Sequence, residues 1–185
     1  MKEKFKIVVV LTLVCILSGA GLSVCFKKLY PKIKENQKEL IRKALRLLVE
    51  EGSIFKERKI GNQILYEIYS PENTLLGYAL ISEGNGYQGK IKILIALKKD
   101  LKTLWGIEII QSSETPGLGA RITEKDFKEQ FKNLVSVPQI KLTKTKKSMH
   151  NEIEAISGAT ISSQAVVKIV NKGIKKIKSL IGDES

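Results

Sequence analysis

The sequence predicts an α+β fold: an antiparallel sheet covered by helices, preceded by an N-terminal transmembrane helix. Three observations carry this reading. Residues 7–26 form a twenty-residue run without a charge. Between about residues 62 and 110, four short apolar stretches are joined by connections too short for a parallel crossover, which needs a dozen or more residues. From residue 160 onward, apolar residues recur at intervals of three and four among lysines, the pattern of an amphipathic helix. A chain of 185 residues holds one ordinary domain and the segment in front of it.

The apolar run is flanked by Lys2, Lys4 and Lys6 on one side and by Lys27 and Lys28 on the other. About 20 residues at about 1.5 Å each cover a hydrocarbon core of about 30 Å, so residues 1–28 are read as an uncleaved membrane anchor. A cleavable signal peptide competes, because Ser18-Gly19-Ala20 offers small residues, but its apolar region is usually only about 7–15 residues long. The stretch Leu22-Ser23-Val24-Cys25 resembles a lipoprotein processing site, with valine a poor fit before the cysteine. Lysines at both ends leave the orientation undecided by charge. Pro31 then opens a segment in which Ile33, Leu40, Ile41, Ala44, Leu45, Leu47 and Leu48 recur at helical spacing. It is predicted as an amphipathic linking helix over 29–52, stopped by Gly52, serving either as a stalk or as the first helix of the domain. The domain proper is assigned to 53–185.

Within it, strands are predicted over 64–69, 75–82, 91–97 and 104–110, pairing as antiparallel neighbours. A loop over 111–121, a short helix over 123–131 and an irregular lysine-rich segment follow. The final helix, over about 160–180, is expected to lay Ile161, Ala165, Val166, Ile169, Val170, Ile174 and Ile177 on the sheet.

Cysteine usage narrows the chemistry. Cys15 and Cys25 both fall in the apolar run, and His150 is the single histidine of the chain. Intradomain disulfides, iron–sulfur clusters and the usual His/Cys zinc sites are therefore excluded, and any redox role must rest on an organic cofactor. The formal net charge is +13, and residues 29–185 alone still carry +9. These lysines fall on helix faces and around Lys141 to Lys147, with no arginine-rich cluster and little aromatic interleaving to stack bases. No nucleic-acid partner is expected; a solvated face, or attraction to anionic lipid beside the anchor, accounts for the charge.

Three motifs stand out. Gly84-Asn85-Gly86-Tyr87-Gln88-Gly89 matches the dinucleotide fingerprint in letters, but the alternation from Lys90 to Leu97 predicts a strand after it, whereas the fingerprint needs a helix to receive the pyrophosphate. The loop is read as a wide hairpin with Tyr87 at its tip. Glu114-Thr115-Pro116-Gly117-Leu118-Gly119 places proline and glycine as a type II turn requires, and reads either as a plain connection or as a loop that lets backbone approach a ligand. Ser157-Gly158-Ala159-Thr160, followed by Ser162 and Ser163, groups hydroxyls at a helix start. Such hydroxyls cap the helix, or the helix N-terminus holds a phosphate, and the two are compatible.

Taken together these motifs resemble the FMN-binding domain family of the G subunit of Rnf-type ion-translocating electron-transport complexes, shared with the C subunit of sodium-translocating NADH:quinone reductases. The resemblance covers essentially the whole chain. It implies FMN joined by a phosphodiester to Thr160 and installed by a flavin transferase from FAD. It also implies a cofactor site made of Tyr87, Glu114, Thr115, Pro116, Gly117, Leu118, Gly119, Ser157, Gly158, Ala159 and Thr160. One position departs from the family's acceptor pattern: Glu154 stands where aspartate is usual, six residues before the threonine. The function implied is electron transfer inside a membrane-bound ferredoxin:NAD⁺ oxidoreductase, alongside other membrane and peripheral subunits. No independent catalytic site is expected in this chain. The implied location is the cytoplasmic (inner) membrane, crossed once, with the domain on the extracytoplasmic side. Three rivals stand beside this reading: the quinone-reductase C subunit, usually a longer chain; a non-redox membrane-anchored binding module; and a free-standing flavin reductase using NADH directly, for which the sequence offers no nicotinamide site.

Overall fold

The computed structural model describes residues 2–52 and 54–182; Met1, the predicted domain start at Ser53 and the last three residues, 183–185, lie outside the described residues. The chain divides into two compact units, Met1–Leu40 and Ile41–Ser185.

Helix α1 (Lys2–Leu48) runs through Pro31, so the apolar run and the amphipathic stretch after it lie on one continuous helix. Proline removes one N–H from the helical ladder, and the turns on either side propagate past that single loss. The helix also ends before Gly52, at Leu48. Among the described residues α1 is the one helix long and apolar enough to cross a membrane. Its large apolar side chains from Phe5 to Phe26 are exposed, a surface that suits lipid rather than water.

In the second unit, β1 (Ile54–Ile60), β2 (Gln63–Tyr69), β3 (Leu75–Asn85), β4 (Lys90–Lys98) and β5 (Leu104–Ser112) form one sheet in the order β1-β2-β3-β4-β5. Every neighbouring pair is antiparallel, as the short connections predict. Strand β1 is the addition to the four predicted strands. It is an edge strand, and its Lys56, Glu57 and Lys59 are exposed, which hides it from an apolar pattern. The signal that finds it is the two-residue Gly61-Asn62 turn, a hairpin connection.

The sheet is buried on both faces, and β4 shows this best, with Ile93, Leu94, Ile95, Ala96 and Leu97 all fully buried. Ile91, Ile93, Ile95 and Leu97 join one core with helix α3 (Thr160–Gly182), while Leu94 and Ala96 meet Ala44, Leu45 and Val49 at the end of α1. Helix α3 lies on the sheet by Ala165, Val166, Ile169, Val170, Gly173, Ile174 and Ile177.

Ile161 is a correction: predicted in this stripe, it is 57% exposed. At about 100° per residue it lies about 140° around the helix from Val166, outside the arc that faces the sheet. The arc holds Ser162 and Ser163 instead, both buried.

The predicted helix over 123–131 is shorter and preceded by a 3-10 turn (Gly119–Thr123); the α-helical part, α2, is Lys125–Glu129. Phe127 and Phe131 anchor it, packed edge to face with centroids 5.7 Å apart, and Lys128 Nζ donates to Glu108 Oε1 on β5 at 2.6 Å. The lysine-rich segment is not wholly irregular, because β6 (Lys141–Thr143) pairs in parallel with β7 (Glu152–Glu154). Strands of three residues are too short to reveal a period in sequence. The side chain of Gln130 pins β7 twice: its Nε2 donates to the Glu154 carbonyl at 3.2 Å, and its Oε1 accepts the Glu154 N–H at 2.8 Å.

Candidate functional site

The three motifs converge. The hairpin loop after β3, the loop after β5 and the first turn of α3 enclose a cleft of about 450 Å³ lined by Tyr87, Glu114, Thr115, Leu118, Gly119, Gly158, Ala159, Thr160, Ile161 and Ser162. That volume lies within the range of about 300–1,000 Å³ of small-molecule sites. Of the predicted site residues, Pro116 and Gly117 sit on the solvent side of their turn and Ser157 is exposed beside the cleft; none of these three lines it. Ile161 and Ser162 line it, although the motifs do not announce them as site residues. The apparent place of Ile161 in the core stripe masks it.

The loop from Glu114 is built as its residues predict. The Thr115 carbonyl accepts the Leu118 N–H at 3.2 Å, and Gly117 sits at φ +75°, the positive value that a type II turn asks of its third residue. The Thr115 hydroxyl joins this loop to the glycine-rich hairpin by donating to Gln88 Oε1. Tyr87, at the tip of that hairpin, is 71% exposed at the cleft mouth, where Leu118 (53%) and Ile161 (57%) stand with it. Three exposed apolar groups around one opening suit a flat, partly apolar ligand better than they suit water.

The hydroxyls at the start of α3 have separate tasks. Ser163 Oγ donates to the Ala159 carbonyl at 3.0 Å and accepts the Ile156 N–H at 3.1 Å, so it stitches the helix start to the segment that follows β7. Ser162 Oγ donates to Glu114 Oε2. The Thr160 hydroxyl, half-buried at the cleft, has no hydrogen-bond partner among the described residues. It is therefore not the helix cap, and it stands beside the open backbone N–H groups of a helix N-terminus, where an anion is favoured. An unpartnered hydroxyl, a helix N-terminus and an apolar rim around one cleft fit FMN, which has a phosphate at one end and a flat ring system at the other.

Glu114 is the one carboxylate in the lining and is 6% exposed. Burial raises its pKa, but hydrogen bonds from Ser162 and from the Gln88 and Gly89 N–H groups outweigh this and hold it below the usual 4.5. A carboxyl with a depressed folded pKa adds stability that is fully present above its unfolded value and is lost as pH falls through the folded one. Wild type is therefore expected to be more stable than Glu114→Gln at neutral pH, with the gap closing as pH drops below about 4. Chemical denaturation of both proteins at several pH values checks this; a gap that is constant with pH would contradict it.

Comparison with known proteins places this chain in a family. The FMN-binding domain profile matches residues 86–175, which includes all three motifs but for the first two residues of the glycine loop. The chain is 30% identical over 98% of its length, and 98% of the relative's, to the G subunit of the ion-translocating oxidoreductase complex of Methanosarcina acetivorans. It is 29% identical over 93% of its length, and 90% of the relative's, to the G subunit of the proton-translocating ferredoxin:NAD(+) oxidoreductase complex of Clostridium ljungdahlii. Among solved structures, Shewanella oneidensis NqrC superposes with a TM-score of 0.56 at 18% identity, covering 67% of this chain and 64% of that one. This is a likeness of fold over less than two thirds of the solved chain.

Proposed function

Because the chain belongs to the FMN-binding G-subunit family of ion-translocating oxidoreductase complexes, we propose that it is the membrane-anchored electron-transfer subunit of an Rnf-type ferredoxin:NAD⁺ oxidoreductase, with FMN esterified to Thr160. The observation that carries the attachment is the half-buried Thr160 hydroxyl, unpartnered among the described residues, at the N-terminus of α3 in the cleft where the three motifs meet. In the proposed attachment Thr160 Oγ bonds to the flavin-side phosphorus of FAD as the pyrophosphate link breaks; AMP departs and the hydroxyl proton leaves to the medium. A flavin transferase supplies the catalysis of that step. Bound flavin accepts electrons in pairs and releases them singly, the property that a relay between one-electron centres needs.

The protein's own residues hold and shield the group. The first-turn N–H groups of α3 would hold the phosphate end. Tyr87, Leu118 and Ile161 offer apolar surface to the ring system, and the loop from Glu114 to Gly119 closes one side. The glycine-rich hairpin leads into strand β4 and not into a helix, so it is no dinucleotide site, which fits a chain that receives electrons from neighbouring subunits rather than from NADH directly. The partners proposed are the other membrane and peripheral subunits of the complex, with lipid around α1. The domain is assigned to the extracytoplasmic side of the inner membrane.

Colour is the first test. Protein purified from its native membranes is expected to be yellow and to stay yellow after denaturation and gel filtration; a colourless chain, as a non-redox binding module would be, contradicts the proposal. For the side of the membrane, a cysteine introduced at Ser185 is expected to react with an impermeant thiol reagent in intact cells. Reaction only after lysis would put the domain in the cytoplasm.

A further inference from the structure

We propose that Glu114, Ser162 and Gln88 are positioning residues that set the geometry of the Thr160 hydroxyl for flavin transfer, Glu114 serving as a clasp between segments rather than as a ligand of the flavin. This deepens the reading of Thr160 as the acceptor and rests on it. The carboxylate is taken up on both sides. Its Oε1 accepts the Gln88 N–H at 3.0 Å and the Gly89 N–H at 3.4 Å, and its Oε2 accepts the Ser162 hydroxyl. One side chain thus ties the hairpin loop, 25 and 26 residues away in sequence, to the first turn of α3, 48 residues away.

The two glycines that flank the carboxylate show how closely it is fitted. A Cβ on Gly86 would collide with Glu114 Oε1, and one on Gly119 would stand 2.5 Å from Glu114 Oε2 and 2.6 Å from Ser162 Oγ. Gly86 and Gly119, one from each motif, therefore make room for this carboxylate. An ionised carboxylate is also an acceptor only, and it repels an anionic phosphate. With its oxygens already engaged and its charge of the wrong sign for the phosphate end, Glu114 is suited to holding the protein together.

What it holds is the acceptor. Ser162 lies two residues after Thr160 in the same helical turn, so holding the Ser162 hydroxyl holds that turn against rotation and with it the backbone from which the Thr160 side chain projects. Gln88 is held from two sides, its N–H by Glu114 and its side-chain carbonyl by the Thr115 hydroxyl. The hairpin carrying Tyr87 is thereby closed onto the cleft. A reacting group displaced by about 1 Å can lose on the order of 100-fold in rate, so a clasp two residues from the nucleophile has leverage over the transfer step.

The experiment has two arms on the detergent-solubilised full chain, for wild type, Glu114→Gln and Ser162→Ala. In the first, amide hydrogen exchange is followed on the unmodified chain, made without a transferase. Exchange at Gln88, Gly89 and Ser163, whose N–H groups are hydrogen-bonded, is expected to quicken in both variants, while Ile93 and Ile95 in β4 stay protected and report an intact fold. In the second, purified flavin transferase and FAD are added and the initial rate of adduct formation is measured by mass against acceptor concentration. Both variants are expected to lose roughly 10- to 100-fold in kcat with KM for the acceptor chain little changed. Faster exchange with an unaltered kcat, or a change in KM alone, overturns the positioning role. An unmodified wild type, by contrast, means that the Thr160 reading itself has failed, and the exchange arm then reports on the clasp separately. Ser162→Ala, the milder change, decides the case if Glu114→Gln does not fold.

Discussion

Thr160→Ala is expected to lose covalent flavin completely while keeping its fold. The hydroxyl is unpartnered among the described residues, so its removal breaks no hydrogen bond, and the helix start is held by Ser163 instead. Even the loss of a true N-cap costs only about 1 kcal/mol, and alanine is a better helix former than threonine. The variant should therefore melt close to wild type and show the unmodified mass. Thr160→Ser keeps a hydroxyl at the same place and is expected to be modified in part, since serine lacks the methyl group that restricts χ1. Comparing intact masses of the three proteins, produced with the transferase, checks both statements. Retention of the full adduct on the alanine variant would move the attachment elsewhere.

Phe131→Ala is expected to produce the largest loss of stability, about 3–5 kcal/mol, because it removes a fully buried ring and leaves a cavity. Its effect should not stop at the core. Phe131 packs on Phe127 of α2, and Gln130 between them holds Glu154 by two hydrogen bonds. Glu154 belongs to β7, which leads into Ser157-Gly158-Ala159-Thr160. A loosened α2 therefore loosens the approach to the acceptor. The side chain of Glu154 is itself exposed, so its extra methylene relative to aspartate meets no packing constraint within this chain. Chemical denaturation of Phe131→Ala and Gln130→Ala, set beside their flavin content, would show this ordering: a large stability loss for the first, a small one for the second, and reduced flavin in both.

The parts of this fold that the sequence reveals are those with strong periodicity or forced connectivity. Helix α3 is legible because Ala165, Ile169, Val170, Ile174 and Ile177 keep helical spacing, and the four central strands because connections such as 70–74 and 98–103 leave no room for a crossover. Strand β1 escapes because an edge strand can carry Lys56, Glu57 and Lys59 without burying them. The continuation of α1 through Pro31 escapes because proline is a local breaker signal, whereas the propagation of a long helix is set by the turns on both sides of it. Ile161 misleads for a geometric reason: spacing of four from Ala165 looks like core membership, although Ala165 is already at the margin of the buried arc. The site is legible as three motifs but not as an arrangement. Glu114 reads from its motif as a cofactor residue; its engagement with Ser162, Gln88 and Gly89 depends on contacts across 25 to 48 residues that no local pattern announces.

That this chain carries FMN on Thr160 is tested most directly by peptide mapping, by mass spectrometry, of the protein purified from its native membranes. A single modified peptide is expected, heavier by one FMN less one water, with fragment ions that place the addition on Thr160. An unmodified peptide spanning Ser157 to Ser163, or an adduct that fragments to any other residue, would contradict it.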